Sequence, residues 1–232
     1  MKKLFVMLLA GLTFSAKAQD ASIKKTTTIQ HFRIALQGGF SQLLAKTPEN
    51  VAPQNRDYES ALKSGANYGL DAIYFISNDW GLGVKFNQFK SSHSGLFYEI
   101  PNGASGTTVA ATDNITHSFV GPSLSTKYVS ANTKHTFVLA VALGYLGYVN
   151  DGGLNGIPLK MTGGTFGSTL DAGYDFNITK SFALGAQISI VGGVLKSYTV
   201  SNGAMSTKVN LDDKNKMSLA RLDISFGARF NF

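Results

Sequence analysis

Strict two-residue alternation is the feature that most limits what this chain can fold into, and it is clearest at the C-terminal end. From Arg221 to Phe232, Leu222, Ile224, Phe226, Ala228, Phe230 and Phe232 alternate with Arg221, Asp223, Ser225, Gly227, Arg229 and Asn231. Successive side chains of a strand point to opposite faces, so one face is apolar and the other carries charge. Seven further segments of about this kind precede it, near 32–40, 66–76, 81–89, 115–128, 135–148, 165–176 and 181–191. Period-2 runs of this length predict strands rather than helices. Outside residues 4–14 the longest apolar stretch runs from about Val138 to Val149, short of the ~20 residues a membrane-spanning helix needs. If the chain enters a membrane, it does so as strands.

The connections alternate as regularly as the strands. Short turns at 77–80, 129–134 and 177–180 join segments two to three, four to five and six to seven. Longer polar, Gly-rich stretches, at about 41–64, 90–114, 149–163 and 196–215, join the others. Pro122 lies inside segment four and predicts a bulge or a local break in pairing there.

The N-terminal end reads as an export signal. Met1-Lys2-Lys3 is basic, Leu4 to Phe14 is apolar, and Ser15-Ala16-Lys17-Ala18 offers small residues at a cleavage position. The expected organisation is therefore a signal peptide at 1–18 cleaved near Ala18, a polar lead-in at 19–31, and one strand-built domain at 32–232. Of 21 basic and 14 acidic residues, Lys2, Lys3 and Lys17 leave with the signal. The remaining 18 and 14 give a net charge of about +4, spread over loops of mixed sign, which does not suit nucleic-acid binding. The absence of cysteine excludes disulfides and thiolate metal sites.

An aromatic C-terminus on a two-faced strand, eight such strands, and alternating short and long connections resemble the small OmpA/OmpX-type outer-membrane barrels, over about residues 29–232. The resemblance implies an all-β, eight-stranded antiparallel up-and-down transmembrane barrel with short periplasmic turns and long extracellular loops. It also implies a place in the Gram-negative outer membrane after Sec export, outer-membrane lipid as surroundings, and the barrel-assembly machinery and periplasmic chaperones as partners in biogenesis. A monomer is expected, and Phe230 and Phe232 would be the assembly signal. Tyr74, Trp80, Tyr128, Tyr174, Phe176 and Phe182 cluster at the short-turn ends and would form an interfacial aromatic girdle.

Closure puts lipid on one face and a lumen on the other. The inward set then contains Arg33, Lys85, Arg221 and Arg229 with Asp71, Asp171, Asp175 and Asp223, four cations and four anions. An eight-stranded barrel is just wide enough to be filled by side chains, so a packed ion-pair plug is expected rather than a pore. No catalytic motif stands out. His31, His93, His117 and His135 are scattered, and Ser91 with His93 at i and i+2 is better explained by a Ser-rich stretch. Asp171 and Asp175 share a face but are expected to balance arginines rather than work as an acid–base pair. The expected role is structural or surface-interacting, without enzyme activity, cofactor or metal. The alternatives are a small-solute channel, a lipid-modifying barrel enzyme, and a soluble lipocalin-type barrel with every face inverted.

Overall fold

The computed structural model describes residues 30–45, 52–99, 106–212 and 216–232. The signal-peptide reading, and the lead-in before Gln30, lie outside the described residues. Eleven strands follow in chain order: β1 (Phe32–Leu43), β2 (Ser64–Phe75), β3 (Trp80–Glu99), β4 (Thr107–Val129), β5 (His135–Leu154), β6 (Ile157–Asn177), β7 (Phe182–Leu195), β8 (Ser197–Ser201), β9 (Ser206–Asn210), β10 (Met217–Ser218) and β11 (Arg221–Asn231). One six-residue helix, α1 (Arg56–Ala61), follows a 3-10 turn at Pro53–Asn55.

Strands β1 to β7 each pair antiparallel with the next, β7 pairs with β11, and β11 pairs with β1. These eight form a closed up-and-down ring. The seam runs to the last residue, because the Phe32 N–H donates to the Phe232 carbonyl at 3.0 Å and the Phe232 N–H returns the bond at 2.9 Å. Closure leaves the ring without an edge, which is what a sheet in hydrocarbon requires.

Alternation puts the expected residues on the expected faces. Leu139 is 56% exposed and Phe226 is 63% exposed on the outside, while Arg221 and Arg229 are fully buried inside. The barrel is inside-out relative to a soluble one, which rules out the lipocalin arrangement. Phe40, Tyr68, Tyr145 and Phe166 mark the far end of the apolar band from Phe32, Tyr74, Phe137 and Phe176. The two levels stand eight or so residues apart, or about 20–25 Å along the barrel axis for strands tilted by ~40°. That matches the ~25 Å apolar band of membrane barrels.

Pro122 breaks pairing without a bulge. The β4–β5 ladder skips Gly121 and Pro122, yet Val120↔Tyr145 and Ser123↔Ala142 on either side keep one register. On the other side Val84↔Pro122 pairs without interruption.

The wall is taller than the segments suggest. β3 to β6 run 20, 23, 20 and 21 residues, whereas β1, β2, β7 and β11 run 12, 12, 14 and 11. At ~3.3 Å per residue the extra length carries one side of the barrel roughly 30 Å further along the strand direction. The expected loop at 149–163 is thus a hairpin with a two-residue turn, Asn155 and Gly156, both at positive φ. Asn-Gly fits that turn because it tolerates left-handed backbone at both positions. Likewise 196–215 contains the β8–β9 hairpin, with β8 added to the edge of β6 from Lys160↔Ser201 to Gly163↔Tyr198.

Candidate functional site: a filled and neutral lumen

Each of the eight inward charges expected from the sequence has a partner, and those partners divide into two networks. In the first, Asp175 sits between two guanidinium groups, with Arg33 donating at 2.7 Å and Arg229 at 3.2 Å. Arg229 also donates to the Gln37 side-chain oxygen at 3.0 Å, and Gln37 donates to Asp71 at 3.3 Å. Lys85 lies between Asp71 at 3.1 Å and Asp171 at 3.2 Å. Thr169 and Gln187 donate to Asp171 as well. This network holds three cations and three carboxylates.

The second network is one ion pair in a polar shell. Arg221 donates to Asp223 at 3.1 Å and also to the Asn87 side-chain oxygen. Ser41 donates to Asp223 at 2.6 Å, Asn67 donates to Ser41 at 2.9 Å, and Ser225 donates to Asn67 at 2.7 Å. Each network is neutral by itself, so neither needs counter-ions from solvent. Desolvated charges survive only when paired and hydrogen-bonded in this way. The buried NH1 of Arg221 and hydroxyl of Ser125 have no partner among the described residues.

Apolar residues close both ends of the charged layer. At the short-turn end, Phe75 turns inward, and the Lys127 ammonium lies 3.7 Å from its ring centre. Phe75 therefore does not join the outward aromatics around it. Gln30 and His31 are tied to this end, through Gln30 to the Lys180 carbonyl and His31 against the Phe75 carbonyl at 3.0 Å. At the other end, Phe119, Ala142, Leu146, Tyr148, Val191, Leu195 and Leu219 pack as a buried cluster. His117 is buried between the rings of Phe89 and Tyr148, at 5.3 and 5.4 Å. The polar alternation hid this layer, although Phe89, Phe119, Leu146 and Val191 all continue the inward parity of their strands. Within the first network a cavity of about 10 Å³, lined by Arg33, Asp71, Lys85, Ser125, Asp171 and Gln187 among others, has room for about one water.

Helix α1 caps the tall side. Tyr58 and Leu62 are buried against Ala111, with Phe97 and Ile115 alongside. The Tyr58 hydroxyl donates to Asp113 at 2.7 Å, and its ring meets that of His93 edge-on at 4.9 Å. Burial first, then the Asp113 hydrogen bond, push the Tyr58 phenol above its ordinary value. Burial first, then the Asp113 charge, raise the Glu59 carboxyl, while Lys63 pulls it the other way. A carboxyl raised on docking favours the docked helix below its ordinary pKa of 4.5, and that contribution is lost as pH rises through the docked value. Glu59→Gln should therefore slow backbone amide exchange across residues 56–62 at pH 7, relative to the parent chain at the same pH. Equal or faster exchange in the variant would contradict this account of Glu59.

The side chains weighed in the sequence for chemistry have these places among the described residues. Ser91 faces the barrel interior and donates to the Ser64 carbonyl at 2.8 Å, so it does not form a lipid-facing pair with His93. Asp171 and Asp175 have separate cation partners. His135 lies outside the lumen, with Nδ1 2.7 Å from the Tyr174 hydroxyl. Among the described residues no group of three or more His, Asp or Glu side chains could hold a metal ion. Tyr74, Trp80, Tyr128, Tyr174 and Phe176 are exposed on the outer wall at the short-turn end. Phe182 is half-buried there, its ring 5.6 Å from that of Phe230, and Phe232 is exposed at the seam.

No protein-family model matches the chain, and no curated protein matches it. Solved structures do. A major outer membrane protein from Thermus thermophilus aligns with 87% of this chain and 98% of its own, at a TM-score of 0.56 and 9% identity. The outer membrane protein OprG from Pseudomonas aeruginosa aligns with 88% of this chain and 97% of its own, at 0.51 and 12%. The outer membrane protease OmpT from Escherichia coli aligns with 91% of this chain and all of its own, at 0.50 and 6%. At these identities the likeness is one of fold, and the fold is that of outer-membrane β-barrels.

Proposed function

We propose that this chain is an OmpA/OmpX-type barrel of the Gram-negative outer membrane, sealed across its lumen, that serves as a rigid base for surface interactions. The filled interior carries the reading. Two neutral ion-pair networks lie under an apolar layer, and the cavity within the first has room for about one water. A hydrated ion has no path through such a core without breaking buried pairs.

The lipid-facing band and its two aromatic levels support the membrane setting, with the short turns toward the periplasm and the tall side of β3 to β6 outside the cell. Export would use the residues 1–18 signal, and Phe230 and Phe232 would mark the last strand for the assembly machinery and its chaperones. A monomer fits a described ring that closes on itself at the β1–β11 seam.

Single-channel recording in planar bilayers tests the sealed lumen. Purified, heat-modifiable barrel should add no conductance steps above background at neutral pH. Reproducible steps would overturn the sealed reading in favour of a small-solute channel.

A further inference from the structure

The tall side of the barrel is an open sheet, and its two edges are treated differently. One edge is the distal half of β3, which runs on past its last pair with β2, Ala66↔Lys90. Asn55 covers that edge at Tyr98. Its side-chain amide donates to the Tyr98 carbonyl at 2.8 Å and accepts from the Tyr98 N–H at 2.7 Å, as a neighbouring strand would. The other edge is β9, which pairs with β8 and, among the described residues, with nothing else.

Hydrogen-bond phase shows what β9 offers. The Leu211 N–H donates to the Lys196 carbonyl and the Asn202 N–H to the Met205 carbonyl. With Ser197↔Asn210 to Ser201↔Ser206 in register, residues 207 and 209 fall in the same phase and bond to β8. Ser206, Lys208 and Asn210 must then turn their N–H and C=O groups to the free side. All three are exposed.

We infer that this free edge of β9 accepts an extended segment of another protein, with an acidic side chain opposite Lys208. The inference rests on the surface-interaction reading above. Strand addition to an exposed edge uses main-chain hydrogen bonds for affinity and facing side chains for selectivity. Lys208 stands on the outer face of the sheet in a row with Thr199 and Thr162, and nearby Lys160 is already engaged by Asp151 at 2.9 Å. An acidic partner side chain completes that row. A second copy of this chain suits it poorly, because full antiparallel pairing of 206–210 with itself sets Lys208 against Lys208, and like charges directly opposite are unfavourable. Stacking β9 on the β3 edge of another copy meets the Asn55 cover. Among the described residues, β9 is therefore the edge whose free positions run uncapped along the strand.

The test uses the whole barrel in lipid nanodiscs and two synthetic pentapeptides, Thr-Val-Glu-Val-Thr and its Lys-centred counterpart. The acidic peptide should slow amide exchange at Ser206, Lys208 and Asn210, and the basic one should not. Lys208→Pro removes a free-side N–H while leaving the β8–β9 bonds intact, so it should weaken the acidic peptide by about tenfold or more with heat-modifiability unchanged. Lys208→Glu should reverse the preference. Absence of protection at millimolar acidic peptide, or equal binding by Lys208→Pro, would overturn the inference. So would concentration-dependent protection without peptide, which would point to self-pairing. Protease access to the hairpin tips on intact cells reports surface placement separately, so a failure here is distinguishable from a failure of the display reading.

Discussion

Replacing Arg221 with Met should lower the unfolding free energy of the barrel by about 3–5 kcal/mol, measured by urea unfolding in lipid vesicles. Arg221 and Asp223 are both fully buried, and Asp223 keeps one neutral donor, Ser41, when the guanidinium is gone. A carboxylate left in that setting has lost its only cation, and Asn87 has lost its donor. Asp223→Leu should cost a similar amount from the opposite side, leaving Arg221 held by Asn87 alone. The double variant Arg221→Met with Asp223→Leu should recover most of the loss, because an apolar pair needs no compensation and the apolar layer lies close by. Breaking a buried pair costs more than replacing it, so the sign of the coupling identifies the mechanism. Additive single losses would show that the two side chains act as independent packing groups rather than as a pair.

Much of this arrangement is legible in the sequence because a strand has a period of two. Parity alone assigns Arg33, Asp71, Lys85, Asp171, Asp175, Arg221, Asp223 and Arg229 to one side, and closure makes that side the inside. What parity does not contain is partner choice. Arg33 reaches Asp175 across the ring, 142 positions away, while Arg221 bonds to Asp223 on its own strand and to Asn87. Those choices follow from the stagger between strands, which is set by the whole ring. The division into two separately neutral networks is equally invisible until the stagger is known.

The tall side is less legible in the sequence for a different reason. Above the lipid both faces of a strand can meet water, so Ser91-Ser92-His93-Ser94 and Thr107-Thr108-Val109-Ala110-Ala111-Thr112 carry little apolar contrast and resemble loops. Local turn chemistry survives where periodicity fades. Asn155-Gly156 is a two-residue hairpin signal in its own right, and it marks the tip that the alternation missed. The buried apolar layer was hidden differently, since Phe89 and Leu146 sit on faces already assigned to polar residues lower down.

Asp175→Asn should destabilise more than Asp223→Leu, because it leaves two buried cations without an anion. Arg33 is 3% exposed and Arg229 is fully buried, and Asp175 is the carboxylate within ion-pair reach of both. The asparagine can still accept a hydrogen bond but supplies no charge, and Gln37 is then the main side-chain acceptor left for Arg229. Arg33→Met is the informative contrast. It removes one cation yet leaves Asp175 paired with Arg229, so the loss should stay well below that of Asp175→Asn. Combining Arg33→Met with Asp175→Asn should be less damaging than Asp175→Asn alone, since one of the two stranded charges is gone. That ordering depends on electrostatic balance within the network and runs against a volume-based account, in which the larger Arg33→Met change would cost more than a near-isosteric amide. If unfolding in vesicles ranks Arg33→Met as the more damaging variant, the lumen is held by packing and its apparent charge balance has no energetic weight.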